Sequence, residues 1–327
     1  MFQAASINDG RFARVQVCSR RLKAQNNLLS RRNAFLERTV NRLGGGLPQM
    51  LKRRGLILQR TVGPQRLLVH RGMSPRAKEE FYRLMHRYSF RLWLRDVIRL
   101  REGNDLEAIC SYCSASSCRE YMEILSRMGM VQIQPGGAWR LLRPGVTSFG
   151  ETLEWFVAEI FRREFCAQVI HGVSLRSPPP GGDFDVLAAV EGFLVYVECK
   201  SSPPRGIEAE EMAGFLGRCH VLAPNLALFL VDTHLRMLDK MVPILEELLG
   251  AAAPDSGLTC QRVQRLEREI FHVEHTLYVL NSARRLAGNL RCCLMDFLRC
   301  KGPGILKTRE ALGAWPPGSP VLGNDQG

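Results

Sequence analysis

Residues 181–202 read GGDFDVLAAVEGFLVYVECKSS. Two apolar runs, 186–190 and 193–197, flank the dipeptide Glu191-Gly192. Both are rich in the β-branched and aromatic residues that fit strands. Glycine at the second position of a two-residue loop supplies the positive φ of a tight turn, so the stretch predicts a β-hairpin. With that turn, Val190 faces Phe193. Carried back, the same register sets Asp185 opposite Glu198 and Asp183 opposite Lys200. Side chains alternate faces with period two. Asp183, Asp185, Glu198 and Lys200 therefore share one face at the open end, and Val197 and Cys199 point the other way, into the core.

Two carboxylates directly opposed across a sheet repel each other. A divalent cation removes that repulsion, and Mg²⁺ prefers carboxylate oxygens and water. A neighbouring lysine can then hold a phosphate oxygen or orient a water. Metal-assisted phosphodiester hydrolysis needs these parts. A surface salt-bridge cluster, Asp183 with Lys200, is the plainer alternative, but three acids against one lysine leave it undercompensated.

At these residues the chain resembles the PD-(D/E)XK, or restriction-endonuclease-like, nuclease superfamily. That pattern is an acid followed by apolar residues, then a second strand ending in acid-x-lysine. Here it reads D-V-L-A at 185–188 and E-C-K at 198–200, with Phe184 in place of the proline. The upstream G-x-x-x-E is matched by Gly150 and Glu154, with Glu151 as the fallback. The resemblance covers about residues 148–233. It implies an α/β fold with an α-β-β-β-α-β core and a mixed sheet. It further implies Mg²⁺ or Mn²⁺ held by Asp185, Glu198, Glu154 and the backbone carbonyl of Cys199. Lys200 would position the attacking water or stabilise the charge growing on the phosphate. Asp183 is an extra acid without an implied role.

Outward from the hairpin, the order of elements fits that core. A helix over 148–165 and a strand over 166–175 precede it. A helix over 207–222, a strand over 225–233 and a helix over 236–250 follow it. Beyond a loop at 251–257 come a helix, a short strand (TLYVL) and a last helix from Ser282. Upstream, residues 20–60 read as basic helix broken at Gly44-Gly45-Gly46, and 65–72 as a short strand. One long helix follows Ser74, whose hydroxyl and Pro75 make an N-cap and N1 pair. From Arg91, three helices (the second LEAICSYC) and a β-hairpin around Pro135-Gly136-Gly137 resemble a winged helix-turn-helix. The third helix would then enter a major groove. The expected organisation is a basic helical region at 1–90, a winged-helix-like DNA-binding domain at 91–145, and a nuclease core at 146–250. An α/β extension at 251–302 and a disordered tail at 303–327 complete it.

Charge follows the same division. Residues 1–145 hold 27 Lys and Arg against 10 Asp and Glu, whereas 146–327 hold 18 against 22. A basic front half suits a polyanion. DNA is the expected partner, RNA the alternative, and a homodimer through the C-terminal helices is the expected assembly. Eleven cysteines scattered over 327 residues, with no apolar leader in the first thirty, suit reduced thiols in a cytoplasm. No apolar run is long enough for a membrane span. Cys110, Cys113 and Cys118, and Cys292, Cys293 and Cys300, are spaced as cluster ligands, but helical packing explains them as buried thiols. His272 and His275 form a ligand-like pair without an acid or cysteine at suitable spacing. His171 reads as a core or loop histidine. The sequence thus points to a metal-dependent DNA nuclease. The rival readings are an RNA-processing nuclease and a non-catalytic DNA-binding or assembly protein on the same scaffold.

Overall fold

A computed structural model of the chain describes residues 46–61, 63–70, 72–176, 183–251 and 262–302. Most of the basic segment expected at 20–60, and the tail at 303–327, lie outside these residues. The chain divides into two compact units, Met1–Gly55 and Leu56–Gly327. In the first, helix α1 (Leu47–Arg53) begins with a proline in its first turn.

The second unit is a mixed α/β structure built on one large sheet. Its strands are β1 (Ile57–Thr61), β5 (Gln168–Arg176), β6 (Asp183–Val190), β7 (Phe193–Lys200), β8 (Leu226–Val231), β9 (Gln264–Glu267), β10 (Ile270–Val273) and β11 (Leu277–Asn281). They run in the order β1-β5-β6-β7-β8-β11-β10-β9. Strands β1, β5, β6 and β7 pair antiparallel, whereas β8 runs parallel to both β7 and β11. The expected α-β-β-β-α-β order is present as α5 (Gly150–Glu164), β5, β6, β7, α6 (Ala209–Leu222) and β8.

Helices cover both faces. Val186, Ala188, Val195, Val197, Leu228 and Leu230 join one core with Leu153, Phe156, Val157 and Ile160 of α5. That core continues to Phe297 on helix α8 (Leu286–Lys301), whose ring meets Phe193 edge-on at 5.1 Å. On the opposite face, Phe215 of α6 packs between Tyr196 and Phe229, with centroids 5.5 and 5.3 Å away. Helix α7 (Met241–Ala251) lies beside α6. Each such ring taken fully out of water contributes about 1.5–3 kcal/mol.

The N-terminal part of this unit forms α2 (Pro75–Met85), α3 (Tyr88–Leu100) and α4 (Ala115–Arg127). A small sheet joins β2 (Glu102–Gly103), β3 (Val131–Ile133) and β4 (Trp139–Leu141) in the order β2-β4-β3. Ser74 caps α2 through its hydroxyl, as expected, with Ala77 N–H donating at 3.1 Å. Ser114 caps α4 in the same way through Ser117 N–H at 3.2 Å. Packing is continuous across Pro144-Gly145, because Leu141, Val146 and Phe149 belong to one buried cluster.

Several sequence expectations are corrected. The helix read through residue 60 gives way to strand β1, which adds to the edge of the large sheet through β5. Of the strand expected at 65–72, the described residues form a 3₁₀ turn at Pro64–Arg66 and irregular chain over 67–70. The long helix after Ser74 is two helices, because Arg87 adopts an extended conformation (φ −83°, ψ 117°) and starts α3 afresh. LEAICSYC forms only a 3₁₀ turn at Glu107–Ile109. The helix read before TLYVL is the strand pair β9–β10, since Ile270, Phe271, His272 and Val273 are all buried within the sheet.

Candidate active site

The hairpin has the expected register from Val190↔Phe193 back to Val186↔Val197. Its turn places Glu191 at φ 49° and Gly192 at φ 83°, the left-handed pair that such a tight turn requires. At Asp185 the regularity ends. The β5–β6 ladder pairs His171↔Val186 and Val173↔Phe184 but skips Gly172 and Asp185. Gly172 takes φ 54° there. Phe184 meets Tyr196 at 5.4 Å, whereas Val186, two residues on, joins the core on the other face. The strand therefore turns over at Asp185, and the simple face shared by four charged residues does not form. Asp183 is exposed. Lys200 pairs with Glu198 at 3.2 Å and Glu211 at 2.7 Å rather than with Asp183.

Asp185 is instead drawn into the fork between the strands. Its Oδ2 accepts the Cys199 backbone N–H at 2.7 Å. The amide of Cys199 thus ties Asp185 to β7, while the Cys199 side chain is buried. Burial and the Glu198 charge push the Asp185 carboxyl up to about 7, against the opposing pull of the Cys199 N–H, Lys200 and Arg218.

Glu154 enters from α5. Burial raises its carboxyl to about 9, reinforced by the charges of Asp185, Glu151 and Glu198. Glu151, the fallback, is engaged elsewhere. It pairs with Arg66 and accepts the Ser148 hydroxyl at 2.6 Å. The mutual repulsion of Glu154, Asp185 and Glu198 places the three acids in one neighbourhood.

Glu198 is buried and heavily bonded. Its Oε1 meets Arg218 Nη2 at 2.7 Å as well as Lys200, and its Oε2 accepts the Tyr196 hydroxyl. Arg218 Nε also donates to the Tyr196 oxygen at 2.8 Å. Burial works against the Lys200 charge, but the bond to Glu211 and the Glu198 charge outweigh it and raise the ammonium pKa. Sequence reasoning did not find Tyr196, Glu211 or Arg218. Tyr196 shares the strand and face of Glu198, two residues away, which is the one signal that could have found it. Arg218 and Glu211 come from α6, at no motif spacing.

The acids disfavour one another's charge in a buried place, which suits a cation. Yet Glu154, Asp185 and Glu198 do not bring ligand atoms together in this arrangement. Among the described residues, the one His/Cys/Asp/Glu trio with ligand atoms all within 4.8 Å of one another is His272, His275 and Asp296. That grouping corrects the expectation that the histidine pair has no acidic partner. His171 lies in β5, where burial and then Arg162 lower its imidazole to about 4. Cys118 accepts the Trp93 indole N–H at 3.2 Å, and burial drives its thiol up, as for a packed cysteine.

Among the described residues no helix is long and apolar enough to cross a membrane. No protein-family model matches the chain. No curated protein matches it either. Several solved structures are similar, among them these two. Protein VC1899 from Vibrio cholerae aligns at 16% identity and TM-score 0.40, covering 58% of this chain and 53% of that one. Can2 from Sulfobacillus thermosulfidooxidans, solved with cyclic tetra-adenylate, aligns at 10% identity and TM-score 0.43, covering 77% and 60%. The chain spans less than two thirds of either. At these scores the likeness assigns neither fold family nor activity.

Proposed function

We propose that the chain is a metal-dependent nuclease that hydrolyses phosphodiester bonds of DNA, with the PD-(D/E)XK pattern as its catalytic core. One observation carries the reading. Glu154, Asp185 and Glu198 crowd the fork of a hairpin beside Lys200, and two of these acids are pushed well above the ordinary carboxylate range. Acids that repel each other in a buried place are a site awaiting positive charge. Asp185, Glu198 and Glu154 would hold Mg²⁺ or Mn²⁺. When bound, the metal would polarise the scissile phosphate and acidify a coordinated water. Lys200 supplies an ammonium for a phosphate oxygen or the attacking water. Arg218 and Tyr196 fix the rotamer of Glu198, so this acid is oriented before substrate arrives. The helices and the three-stranded sheet of 88–141 would supply a winged-helix-like grip on the duplex.

A second reading is a non-catalytic DNA-binding protein on this scaffold. It is favoured by the saturation of Glu198, whose two oxygens are taken by Arg218, Lys200 and Tyr196.

The deciding experiment incubates plasmid, linear duplex, single-stranded DNA and RNA with Mg²⁺ or Mn²⁺, beside Asp185→Ala and Lys200→Ala. Cleavage should fall by about 10²-fold or more in each variant, the usual cost of losing a group that stabilises transition-state charge. Undiminished cleavage would refute the site. Tight duplex binding with no cleavage of any substrate selects the scaffold reading, and cleavage of RNA alone changes the substrate.

A further inference from the structure

On the opposite side of β8 from the hairpin, β10 and β11 bring together side chains that the nuclease reading leaves unused. His272 sits in β10, paired with Tyr278 of β11. His275 lies in the turn between these strands, and Asp296 projects from α8. One ligand atom from each of His272, His275 and Asp296 lies within 4.8 Å of the others. The two imidazoles stack with centroids 4.1 Å apart. His275 Nδ1 is 2.7 Å from Asp296 Oδ2, and the Tyr278 hydroxyl donates to the same oxygen at 2.6 Å.

The turn between β10 and β11 brings His275 beside His272. Glu274 and His275 both adopt left-handed φ values, 52° and 56°. A tight turn between antiparallel strands requires such values, and histidine is among the residues that tolerate them. The turn closes with Thr276 N–H donating to Val273 O at 3.1 Å, and His275 N–H donates to His272 Nδ1 at 3.2 Å. His272 is only 3% exposed, and its Nδ1 is engaged by that single long bond. The His275 side chain is 33% exposed, which leaves a route for an ion to enter.

We infer that His272, His275 and Asp296 form a binding site for a divalent transition-metal ion of the zinc class. Two imidazoles and one carboxylate suit Zn²⁺, whereas Mg²⁺ is usually bound through carboxylates, waters and phosphates. Three protein ligands leave a fourth position for water. On binding, the ion takes the place of the proton shared between His275 and Asp296. A neutral imidazole keeps one N–H, so when Nδ1 takes the ion that proton sits on His275 Nε2, and the weak His275 N–H bond to His272 is given up. Tyr278, bonded to the Asp296 carboxylate, orients this ligand without binding the ion. The site lies apart from Asp185, Glu198 and Lys200, and it does not rest on the nuclease reading.

The test is metal content and Zn²⁺ titration of the full chain after chelator treatment and dialysis under reducing conditions. Binding by the cysteines is separated by comparing variants. The wild-type chain should bind one Zn²⁺ more than His275→Ala and Asp296→Asn, with folding of each checked by circular dichroism. Tyr278→Phe should keep that equivalent, because no ligand is lost, and Asp185→Ala should keep it too. In the wild type, Zn²⁺ should also raise the thermal midpoint, and this rise should vanish in Asp296→Asn. Equal Zn²⁺ content in wild type, His275→Ala and Asp296→Asn would overturn the inference. So would failure of Zn²⁺ at tenfold excess to bind or to shift the wild-type midpoint.

Discussion

Asp185 shows how far a motif locates a side chain. Its identity as the first acid of the pattern was legible from the apolar run after it. Its orientation was not, because the skipped pair that turns the strand over depends on Gly172, on a different strand. Arg218 was invisible for a similar reason: a residue twenty positions from Glu198 on a helix has no fixed phase relative to a strand. The titration of these acids is testable. Burial and like charge raise the carboxyls of Glu154 and Asp185 above their unfolded values. The folded chain then holds more protons than the unfolded one, so this contribution to stability is present below about pH 4 and lost as pH rises through about 7 and 9. Glu154→Gln should therefore flatten the fall of the thermal midpoint between about pH 5 and 9, and raise the midpoint most near pH 9. Thermal scans across that range check it, and an unchanged slope would count against the crowding of these acids.

At the scale of elements, the hairpin was the most readable part, since a period of two and a tight turn together fix register. The helices of 75–100 were less so. The pattern of apolar residues runs smoothly across His86-Arg87, and nothing local marks the break. The break matters, because it lets α3 present Arg91 to the end of the sheet. There the guanidinium donates to both oxygens of buried Asp232 at 2.8–3.1 Å and to Met85 O at 2.7 Å. Arg91 is 1% exposed. Removing one partner of such a pair strands a buried charge, at about 3–5 kcal/mol. Arg91→Ala should lose that much in denaturant unfolding, and a loss below about 1 kcal/mol would show that the pair carries little.

For the whole molecule, the sequence supplied a charge division that the fold does not repeat as a division in packing. The core runs unbroken from Leu68 to Phe297, so residues of the basic and of the acidic half share it. Charge followed position along the chain, whereas burial followed contacts that cross it. If the basic half contacts a nucleic-acid backbone, affinity must respond to salt. Six to ten phosphate contacts predict a loss of about 10³–10⁵ in binding constant between 50 and 200 mM salt. A duplex-binding titration at several salt concentrations measures the slope, and a flat response would remove the polyanion as a partner.

The two strands that carry the candidate site are held unequally. Behind Lys200, the peptide is fastened twice: its carbonyl accepts the Asp232 N–H at 2.7 Å, and the next carbonyl, of Ser201, accepts Arg95 at 3.0 Å. Asp232 in turn is clasped by Arg91. Across the fork, Asp185 occupies the position skipped by its neighbouring strand. The arrangement is that of a vise with one fixed jaw and one that can yield. On the proposed nuclease reading, adjustment to the width of a substrate would fall on the Asp185 side, with Glu198 and Lys200 as the fixed reference.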